Sequence, residues 1–503
     1  MSATTTIAAT HALEKAESSQ GTPEPKSPRE IHGISWVLVV MSIISCVFLF
    51  ALDNTSVADV QPAIIKEFGD LEMLPWISVA FLIGAASTLL AWSKGYGQFD
   101  CKWLYILTTL IFEVGSALCG AAPNMSAFIV GRAICGLGGA GGAFTDSPAT
   151  WRWAFYINLC IGGLPAPVFL FMIPSIDPRP GVSLKSRLAE IDFLGTTLFI
   201  GVFVSGIMAI AFGGLLYAWD SAQIIALFVC FGVLAILFFL QQHFLILTTY
   251  QRRIFPLQYF KDKEMMILFI ETAAAGTSSF IPIYFVPLFF QFVQGDGALQ
   301  AGVRLLPSIV PLVVFNLVNG AAMSTLGYYM PWYLAGGALI IVGGALLEVT
   351  HLNTSVAQIY GALVVAGIGT GSFSQTGFSV AASLVPPEET STAVGFMTCG
   401  QIGGSAVALS VANTIFLNRA TVQIARLLPG ETISAVQGMV SGANGALLES
   451  LGGDLRGRVL DAIVRAITDA LVLELTSGAL AVLLALFLRR TKSNHDPANA
   501  AFM

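Results

Sequence analysis

The amino-acid sequence predicts an all-α membrane protein built as two helical bundles with about thirteen transmembrane helices. Roughly thirteen separate apolar runs lie between Gly33 and Leu488, and each is long enough to cross a bilayer. A spanning helix needs about 20 mostly apolar residues, because lipid offers its backbone no hydrogen-bond partners. The composition agrees with this class, since 55% of the 503 residues are hydrophobic and 11% are charged. Soluble domains carry about 25% charged residues.

The predicted elements follow one another between two polar ends. Residues 1–32 are polar and rich in Ser, Thr and Pro, which predicts a disordered cytoplasmic tail and no cleaved signal peptide. We place the spans at 34–55, 73–92, 103–122, 126–144, 154–173, 191–213, 222–241, 265–290, 302–324, 332–350, 357–383, 393–416 and 468–488. They form an incomplete N-terminal bundle (33–173), two linker spans with cytoplasmic loops (174–263) and a C-terminal bundle (264–488), before a cytoplasmic tail (489–503).

The loops rich in Lys and Arg predict the orientation, since basic residues mark cytoplasmic loops. With a cytoplasmic N-terminus, the cluster Lys94 and Lys102 follows two spans and lies inside. We therefore expect both termini in the cytoplasm and a multi-pass protein of the plasma membrane. Sequons at Asn124 and Asn353 fall in predicted outer loops, which makes these asparagines candidate glycosylation sites.

The loop charges conflict with the number of spans in one place. Three predicted spans separate Lys102 from Lys185, and an odd number of crossings would place Lys185 outside. Because the alternation is regular after Lys185, we place the break between Gly131 and Trp151. A re-entrant pair within 126–173 is the alternative that would restore the alternation.

The long segment 418–466 is predicted to lie outside. Apolar residues recur at helical spacing towards its end, while Asp461, Arg465 and Asp469 step by four along another face. The pattern predicts an amphipathic helix that lies on the outer membrane surface and runs into the last span. A helix packed on the bundle is the alternative.

Charged residues inside spans are candidates for chemistry, because a charge at the bilayer centre costs about 2.5–3.5 kcal/mol on insertion scales. Proton coupling needs a carboxylate whose pKa is raised by burial and modulated by a neighbouring cation. The candidates for proton coupling are Asp53, Arg132 and Glu113, and further charged positions are Glu271 and Glu348. A helix-end role for Asp53 and a structural ion pair for Arg132 are the alternatives.

Polar uncharged side chains in or beside the spans are candidates for a substrate path. They are Asn54, Asn316, Asn319, Gln375 and Gln401. Such side chains also form hydrogen bonds between helices, so interhelical contact is the alternative for each of them.

The sequence carries no pattern typical of an enzyme. The five histidines are scattered without HxxxH or HExxH spacing, and neither a nucleophile elbow nor a phosphate loop occurs. The seven cysteines show no CxxC spacing, which favours small buried residues over a metal site. We therefore expect a monomer without cofactor or metal, whose partners are a small-molecule substrate, protons and the lipid bilayer, with no nucleic acid.

Several short stretches carry a resemblance to a known family. They are Leu52–Val57 with Pro62, Arg132–Ala140, Trp151–Leu159, 301–307 and 327–332. The first is similar to the signature LDxTIV…P, the second to the fourth-span motif RxxxGxGxA and the third to WRWxFxIN. In this order they resemble the major facilitator superfamily, and most of all its fungal 14-span drug:proton antiporters. The resemblance implies a two-bundle transporter in which Arg132 takes part in proton coupling.

Two departures from the family pattern affect the expected mechanism. The family loop GxLxDRxGRR reads Ser93–Lys102 here, with Gly97 at the position of the Asp, so the gating contacts of that loop do not carry over. The fifth span, with the antiporter signature GxxxGPxxGG, is absent, and Gly141 and Gly142 look like its end fused to the fourth span. On a 14-span template, one loop and one helix are missing, on the order of 45 residues.

The leading hypothesis is a secondary transporter that exports small amphipathic molecules, such as drugs, toxins or secondary metabolites. It would work by proton antiport with alternating access. A proton-coupled uptake symporter, like the siderophore carriers that share the 14-span plan, is the alternative within transport. A non-functional product of splicing or gene prediction is the alternative outside it.

Overall fold

The computed structural model describes most of the chain from residue 33 to residue 490. The described residues are 33–35, 37–39, 41–42, 64, 67–69, 73–138, 152, 159, 163, 165–173, 175, 177–214, 216–386, 389–440 and 445–490. Within them the regular structure is helical, apart from one isolated β-bridge between Gly213 and Tyr217.

The first half of the described chain holds seven labelled helices. They are α1 (Leu74–Tyr96), α2 (Cys101–Ala121), α3 (Met125–Gly138), α4 (Ala166–Phe171), α5 (Leu184–Ala189), α6 (Phe193–Phe212) and α7 (Ala222–Phe244). The last two are the predicted linker spans, and they pack against each other, while α1 packs against α6.

The second half begins with a short 3₁₀ helix, Leu257–Lys261, and contains longer helices. They are α8 (Lys263–Gln294), α9 (Ala298–Val303), α10 (Leu306–Leu326), α11 (Met330–Glu348), α12 (Val356–Gly371), α13 (Thr376–Ser383), α14 (Thr390–Thr398), α15 (Gly404–Leu427), α16 (Ile433–Val440), α17 (Gly445–Ser450) and α18 (Gly453–Ala485). A π-helical turn, Cys399–Gly403, joins α14 to α15.

The predicted membrane class is confirmed. In the described part of the chain, nine helical segments are long and apolar enough to cross a membrane, and α3 is a shorter apolar helix. The nine segments coincide with nine of the predicted spans. The total number of spans stays a prediction, because 43–63 and 139–151 lie outside the described residues.

Side-chain caps set the starts of several helices. Asp100 accepts a hydrogen bond from the backbone N–H of Lys102 at 2.9 Å, and Asp192 accepts one from Gly195 at 2.8 Å. Ser355 begins α12 with a capping box. Because the first N–H groups of a helix have no partner within it, these caps place the helix boundary at the polar residue.

Glycines hold α3 between α1 and α2. A Cβ atom at Gly136 would collide with the carbonyl of Phe81 on α1, and one at Gly138 would collide with the backbone of Phe112 on α2. The backbones therefore approach more closely than any side chain would allow. This contact explains both glycines of the RxxxGxGxA stretch.

In the second half, glycines also allow close backbone contact where α18 packs along α11. A Cβ atom at Gly337 would lie 3.0 Å from the carbonyl oxygen of Gly478, and one at Gly344 would lie 2.9 Å from the backbone nitrogen of Leu475. The last span is thus in close backbone contact with α11 over about two turns, judged by the helical rise per residue.

The basic loops meet at one end of the bundle, which we call the basic end. Arg187 donates a hydrogen bond to the carbonyl oxygen of Gln98 at 2.8 Å, which joins the loop before α6 to the loop after α1. Arg489 pairs with Glu264 at 2.8 Å, which joins the end of α18 to the start of α8. The basic clusters predicted to share one side of the membrane are therefore together in the structure.

Arg152 marks the opposite end. Its guanidinium donates hydrogen bonds to the carbonyl oxygens of Gly120 at 2.9 Å and Ala122 at 2.7 Å, and it pairs with Glu67 at 2.8 Å. The stretch that contains WRWxFxIN therefore begins beside the end of α2.

The chain direction bears on the parity conflict. The Ser175 hydroxyl donates to the carboxylate of Asp100 at the basic end, so the chain from Arg152 to Ser175 runs towards that end. Helix α3 runs in the same direction, and residues 139–151, which separate it from Arg152, lie outside the described residues. The fused stretch at Gly141 and Gly142 lies outside the described residues.

The expectation of a helix on the outer membrane surface is wrong. Helix α18 continues without a break from Gly453 to Ala485, and Val459, Ile463 and Ile467 are fully buried in the core. Its apolar stripe packs on the bundle, in which α18 contacts α11, α8 and α15, so protein rather than lipid covers it. The alternative interpretation from the sequence is the correct one.

Candidate functional site

Arg132 lies in the interior of the first half, on α3. The residue is 1% exposed. Its Nε donates a hydrogen bond to the carbonyl oxygen of Ile77 at 3.3 Å, and its guanidinium lies 4.5 Å from the centre of the Phe81 ring. Because arginine stays protonated in proteins, a permanent positive charge is buried at the contact between α3 and α1.

The other predicted coupling residues are less completely placed. Glu113 lies midway along α2, half-buried, with both carboxylate oxygens shielded from solvent. Asp53 and Asn54 lie outside the described residues. A contact between Asp53 and Arg132 therefore stays a prediction.

Glu271 forms a buried acidic position in the second half, on α8. It is 0% exposed, and among the described residues neither of its carboxylate oxygens has a hydrogen-bond partner. The hydroxyl of Tyr333 on α11 is also buried and lacks a hydrogen-bond partner in the same part of the chain. A Cβ atom at Gly377 would lie 2.7 Å from the hydroxyl of Thr272 and 3.3 Å from that of Tyr333, so the glycine allows this close packing.

Glu474, on α18, is a buried carboxyl that the sequence did not single out. It is 0% exposed, and within the described chain its two carboxylate oxygens accept no hydrogen bond. The signal was present, because Glu474 is an acidic residue inside the predicted span 468–488. Because a charge inside a span is rare and costly, a search for every charged residue within the predicted spans would have identified Glu474.

Two predicted substrate-path residues join helices instead. Asn316 accepts a hydrogen bond from the hydroxyl of Ser374 at 2.7 Å, and Asn319 accepts one from Thr376 at 2.9 Å. These bonds connect α10 to the break between α12 and α13. Both asparagines thus make interhelical hydrogen bonds, and their place on a substrate path stays a prediction.

The remaining candidates differ in exposure. Gln401 is half-buried in the π-helical turn Cys399–Gly403, an irregularity that often marks functional positions in helices. Gln375 is exposed at the start of α13, and Glu348 is exposed at the end of α11. Glu348 is therefore a helix-end residue, in agreement with its predicted place near the outer end of the tenth span.

The sequon asparagines are both exposed. Asn124 lies in the turn between α2 and α3, where its side chain accepts a hydrogen bond from the N–H of Ala127 at 2.9 Å. Asn353 lies in the turn before α12. Both turns are at the end opposite the basic end, as the orientation prediction requires, and their glycosylation stays a prediction.

A polar cluster at the basic end was also not predicted from the sequence. Asp192, which caps α6, accepts hydrogen bonds from Gln241 at 3.1 Å and Gln242 at 2.7 Å on α7. Gln242 in turn accepts a bond from the N–H of Phe255 at 3.0 Å. These buried contacts fix the two linker helices to each other and to the loop that leads to α8.

Comparisons with known proteins identify the family. The model described as Major Facilitator Superfamily matches residues 193–408, and the model described as Sugar (and other) transporter matches residues 30–152. The MFS-type transporter pgmG of Aspergillus terreus is 44% identical, with 92% of this chain and 90% of the relative covered. The efflux pump alnA of Emericella nidulans is 38% identical, with 95% and 94% covered.

A solved structure shows the same fold. It is a bacterial homologue of the human lysosomal transporter Spinster in an inward-facing and occupied conformation. The TM-score is 0.51 at 15% sequence identity, with 90% of this chain and 97% of that chain covered. The predicted two-bundle fold is thereby supported at the level of architecture.

The relatives are longer within the matched region. The alignment with the Aspergillus terreus transporter spans 504 positions and uses 92% of the 503 residues, about 463 of them, so about 40 positions of the relative have no counterpart here. The Emericella nidulans alignment spans 522 positions and uses 95%, about 478 residues, which leaves about 44. These numbers agree with one missing loop and one missing helix.

The identity holds along nearly the whole chain and not only at the short motifs. Both relatives exceed 30% identity over more than nine tenths of this sequence. The family is one of secondary transporters, which agrees with long apolar helices and sparse buried charge. The chain belongs to the major facilitator superfamily and is a multi-pass membrane transporter, not an enzyme.

Proposed function

We propose that this transporter exports small amphipathic molecules by proton antiport with alternating access. The observation that carries the proposal is the buried guanidinium of Arg132, which is bonded to the carbonyl of Ile77 across the contact between α3 and α1. A fixed cation in a low-dielectric interior favours the ionised form of a nearby carboxylate. A movement of α1 against α3 changes that influence, and this is how a proton can be coupled to a conformational change.

The direction and the cargo follow from further observations. The Emericella nidulans relative is named an efflux pump, which supports export. The spans are apolar with few buried charges, which suits amphipathic cargo better than sugars or ions. Each pH unit supplies about 1.4 kcal/mol and each charge that crosses 100 mV about 2.3 kcal/mol, enough to concentrate cargo tenfold or more outside.

The test is transport into proteoliposomes that contain the full chain. Ethidium and the neutral dye Nile red serve as amphipathic probes, and an acidic lumen supplies the proton gradient. We expect accumulation that collapses with a protonophore, and its loss in Arg132→Gln and Asp53→Asn. Arg465→Gln is the matched control, because Arg465 is 68% exposed and pairs with Asp461 on its own helix.

Two results would contradict the proposal. Proton-driven movement of probe in the same direction as the proton would establish the uptake symporter. Unchanged probe accumulation in Arg132→Gln would show that the guanidinium takes no part in proton coupling. The same assay in vesicles from a plasma-membrane fraction addresses the location, which we propose to be the plasma membrane with both termini in the cytoplasm.

A second candidate is a chain that has lost a helix needed for transport. The observation that favours it is the set of about 40 relative positions without a counterpart here. The test restores the corresponding segment of the Aspergillus terreus transporter between Gly139 and Gly142 and compares both chains. Transport only by the restored chain would establish the second candidate, whereas equal transport by both would reject it.

A further inference from the structure

Two glutamates of the second half share an unusual environment. Glu271 on α8 and Glu474 on α18 are both 0% exposed, and these two helices pack against each other. In the described chain none of their four carboxylate oxygens accepts or donates a hydrogen bond. The mechanism proposed above, which is centred on Arg132, uses neither of them.

An ionised carboxylate has no compensation at either position. A buried charge without a partner or hydrogen bonds costs far more than the neutral acid, so such a group takes up a proton instead. At the basic end, Arg489 is already paired with Glu264 and not with either of these glutamates. Both glutamates are therefore neutral acids in this conformation.

The groups on the neighbouring helices leave this conclusion unchanged. The titratable or charged residues on the two helices and on the elements packed against them are Lys263, Glu264 and Tyr284 on α8, Tyr333 and Glu348 on α11, Tyr360 on α12, Tyr259 and Lys261 in the 3₁₀ helix, Cys399 in the π-helical turn, Arg419 and Arg426 on α15, and Asp454, Arg456, Arg458, Asp461, Arg465 and Asp469 on α18. Arg419 is 65% exposed and pairs with Asp469, and Lys263 lies over the ring of Phe487 at the basic end.

We propose that Glu271 and Glu474 are the proton-binding carboxyls of the second half, which hold protons in this conformation and release them when the helices separate. In the release step the O–H bond of each acid breaks, the proton passes to a water molecule and the carboxylate keeps the electron pair. Rebinding from the other side of the membrane restores the acid. The role as carriers in transport rests on the proposed antiport, whereas the protonated state does not.

The packing of α18 suits this role. Helix α18 contacts α11 through Gly478 and Gly337, so water cannot reach Glu474 unless these backbones move apart. Near the other acid, the buried hydroxyl of Tyr333 and the hydroxyl of Thr272, which follows Glu271 on α8, both lie beside Gly377. A relative movement of the helices thus controls the hydration of both carboxyls.

Infrared spectroscopy of the full chain in lipid vesicles tests the protonated state without any transported molecule. Protonated carboxyls absorb apart from carboxylates, and their band shifts in D₂O. At neutral pH we expect the band in the wild type and a loss of part of it in both Glu271→Gln and Glu474→Gln. Glu431→Gln is the control, because Glu431 is an exposed loop residue and should contribute nothing.

A second variant guards against a folding defect. Glu474→Asp keeps the acid and should shift its part of the band, whereas Glu474→Gln should remove it. If the wild type has no protonated carboxyl band at neutral pH, or if the band is intact in both Gln variants, the proposal is overturned.

Transport separates this proposal from the proposed function. With ethidium in proteoliposomes, we expect proton-driven accumulation to fall about tenfold or more in both Gln variants. Accumulation unchanged in both variants would overturn the role of these residues as carriers. If the variants lose the band but the wild type accumulates no probe in response to the proton gradient, Glu271 and Glu474 bind protons and the proposed antiport is rejected.

Discussion

The ammonium group of Lys94 donates a hydrogen bond to the carbonyl oxygen of Gln251 at 3.2 Å, at the basic end of the bundle. Beside it the hydroxyl of Ser93 donates to the carbonyl oxygen of Ser391 at 3.1 Å. Helix α1 belongs to the first half and α14 to the second, so the bond from Ser93 to Ser391 joins the halves, while the bond from Lys94 ties α1 to the loop after α7. A side-chain contact to a backbone carbonyl thus connects the halves next to a loop in which Gly97 replaces the family's Asp.

The first prediction concerns this junction. A Cβ atom at Gly395 on α14 would collide with the hydroxyl of Ser93. We therefore expect Gly395→Ala to open the basic end and to raise several-fold the labelling rate of a cysteine placed at Ala393, which is 0% exposed. Gly361→Ala is the control, since a Cβ atom there meets nothing within 4 Å. Adding Ser93→Gly should restore slow labelling, and a double variant that still labels fast would contradict the steric explanation.

The second prediction is a pH dependence of the same junction. Burial lowers the pKa of Lys94, and Arg253 lowers it further, against the opposing influence of Glu389 and Asp192. The closed junction therefore binds protons less readily than an open one in which Lys94 is hydrated. Raising the pH towards the ordinary lysine pKa of 10.5 should favour closure.

Spin labels measure this response. Labels at Trp103 on α2 and Leu384 after α13, both at the basic end, should report a larger fraction of short distances as the pH rises. Lys94→Met should remove the dependence, because it removes the ammonium group whose pKa is lowered by burial in the junction. A distribution that shifts equally in Lys94→Met would assign the effect to another residue.

The third prediction concerns the backbone contact between α3 and α1. Gly136→Ala forces a Cβ atom against the carbonyl of Phe81. Overpacking of this kind costs about 1–3 kcal/mol, so we expect a lower melting temperature. Gly361→Ala should be neutral or slightly stabilising, since alanine favours helix. Equal melting temperatures for the two variants would mean that α3 moves away without cost.

The membrane-spanning helices depend on composition and could be predicted from the sequence. The partners of individual side chains depend on packing and could not. The long apolar helices follow from the solvent, because lipid forces backbone groups to bond within each segment. The partner of Asn319 could not be predicted, since Thr376 lies 57 residues away and only the break between α12 and α13 brings it close. The isolation of Glu474 likewise depends on which face of α18 meets α8 and α11.

The outer part of α18 is a second example of a feature that depends on packing and could not be predicted from the sequence. Its amphipathic period is correct, and Arg465 pairs with Asp461 at 2.8 Å on the polar face. An apolar stripe, however, is compatible with lipid or with protein. In the structure protein covers the stripe, and α15 is one of the helices in contact with α18: the guanidinium of Arg419 lies 3.6 Å from the carboxylate of Asp469.

The fourth prediction concerns Arg152, the first described residue after the point where the missing helix should lie. Its guanidinium bonds two carbonyls at the end of α2, those of Gly120 and Ala122, and pairs with Glu67. Hydrogen bonds from a charged group are worth about 1.5–3 kcal/mol when buried, and Arg152 is 23% exposed. We expect Arg152→Ala to lower the free energy of unfolding by about 2 kcal/mol.

Two matched variants separate the parts of this contact. Glu67→Gln removes only the ion pair, and because Glu67 is 44% exposed it should cost less than about 1 kcal/mol. Arg179→Ala removes a comparable pair with Glu190 at the basic end and sets the scale for a partly exposed ion pair. If Arg152→Ala costs no more than Arg179→Ala, the carbonyls of α2 do not anchor the chain. A larger cost would show that the arginine fixes the return of the chain to this end, which the alternation of the basic loops requires.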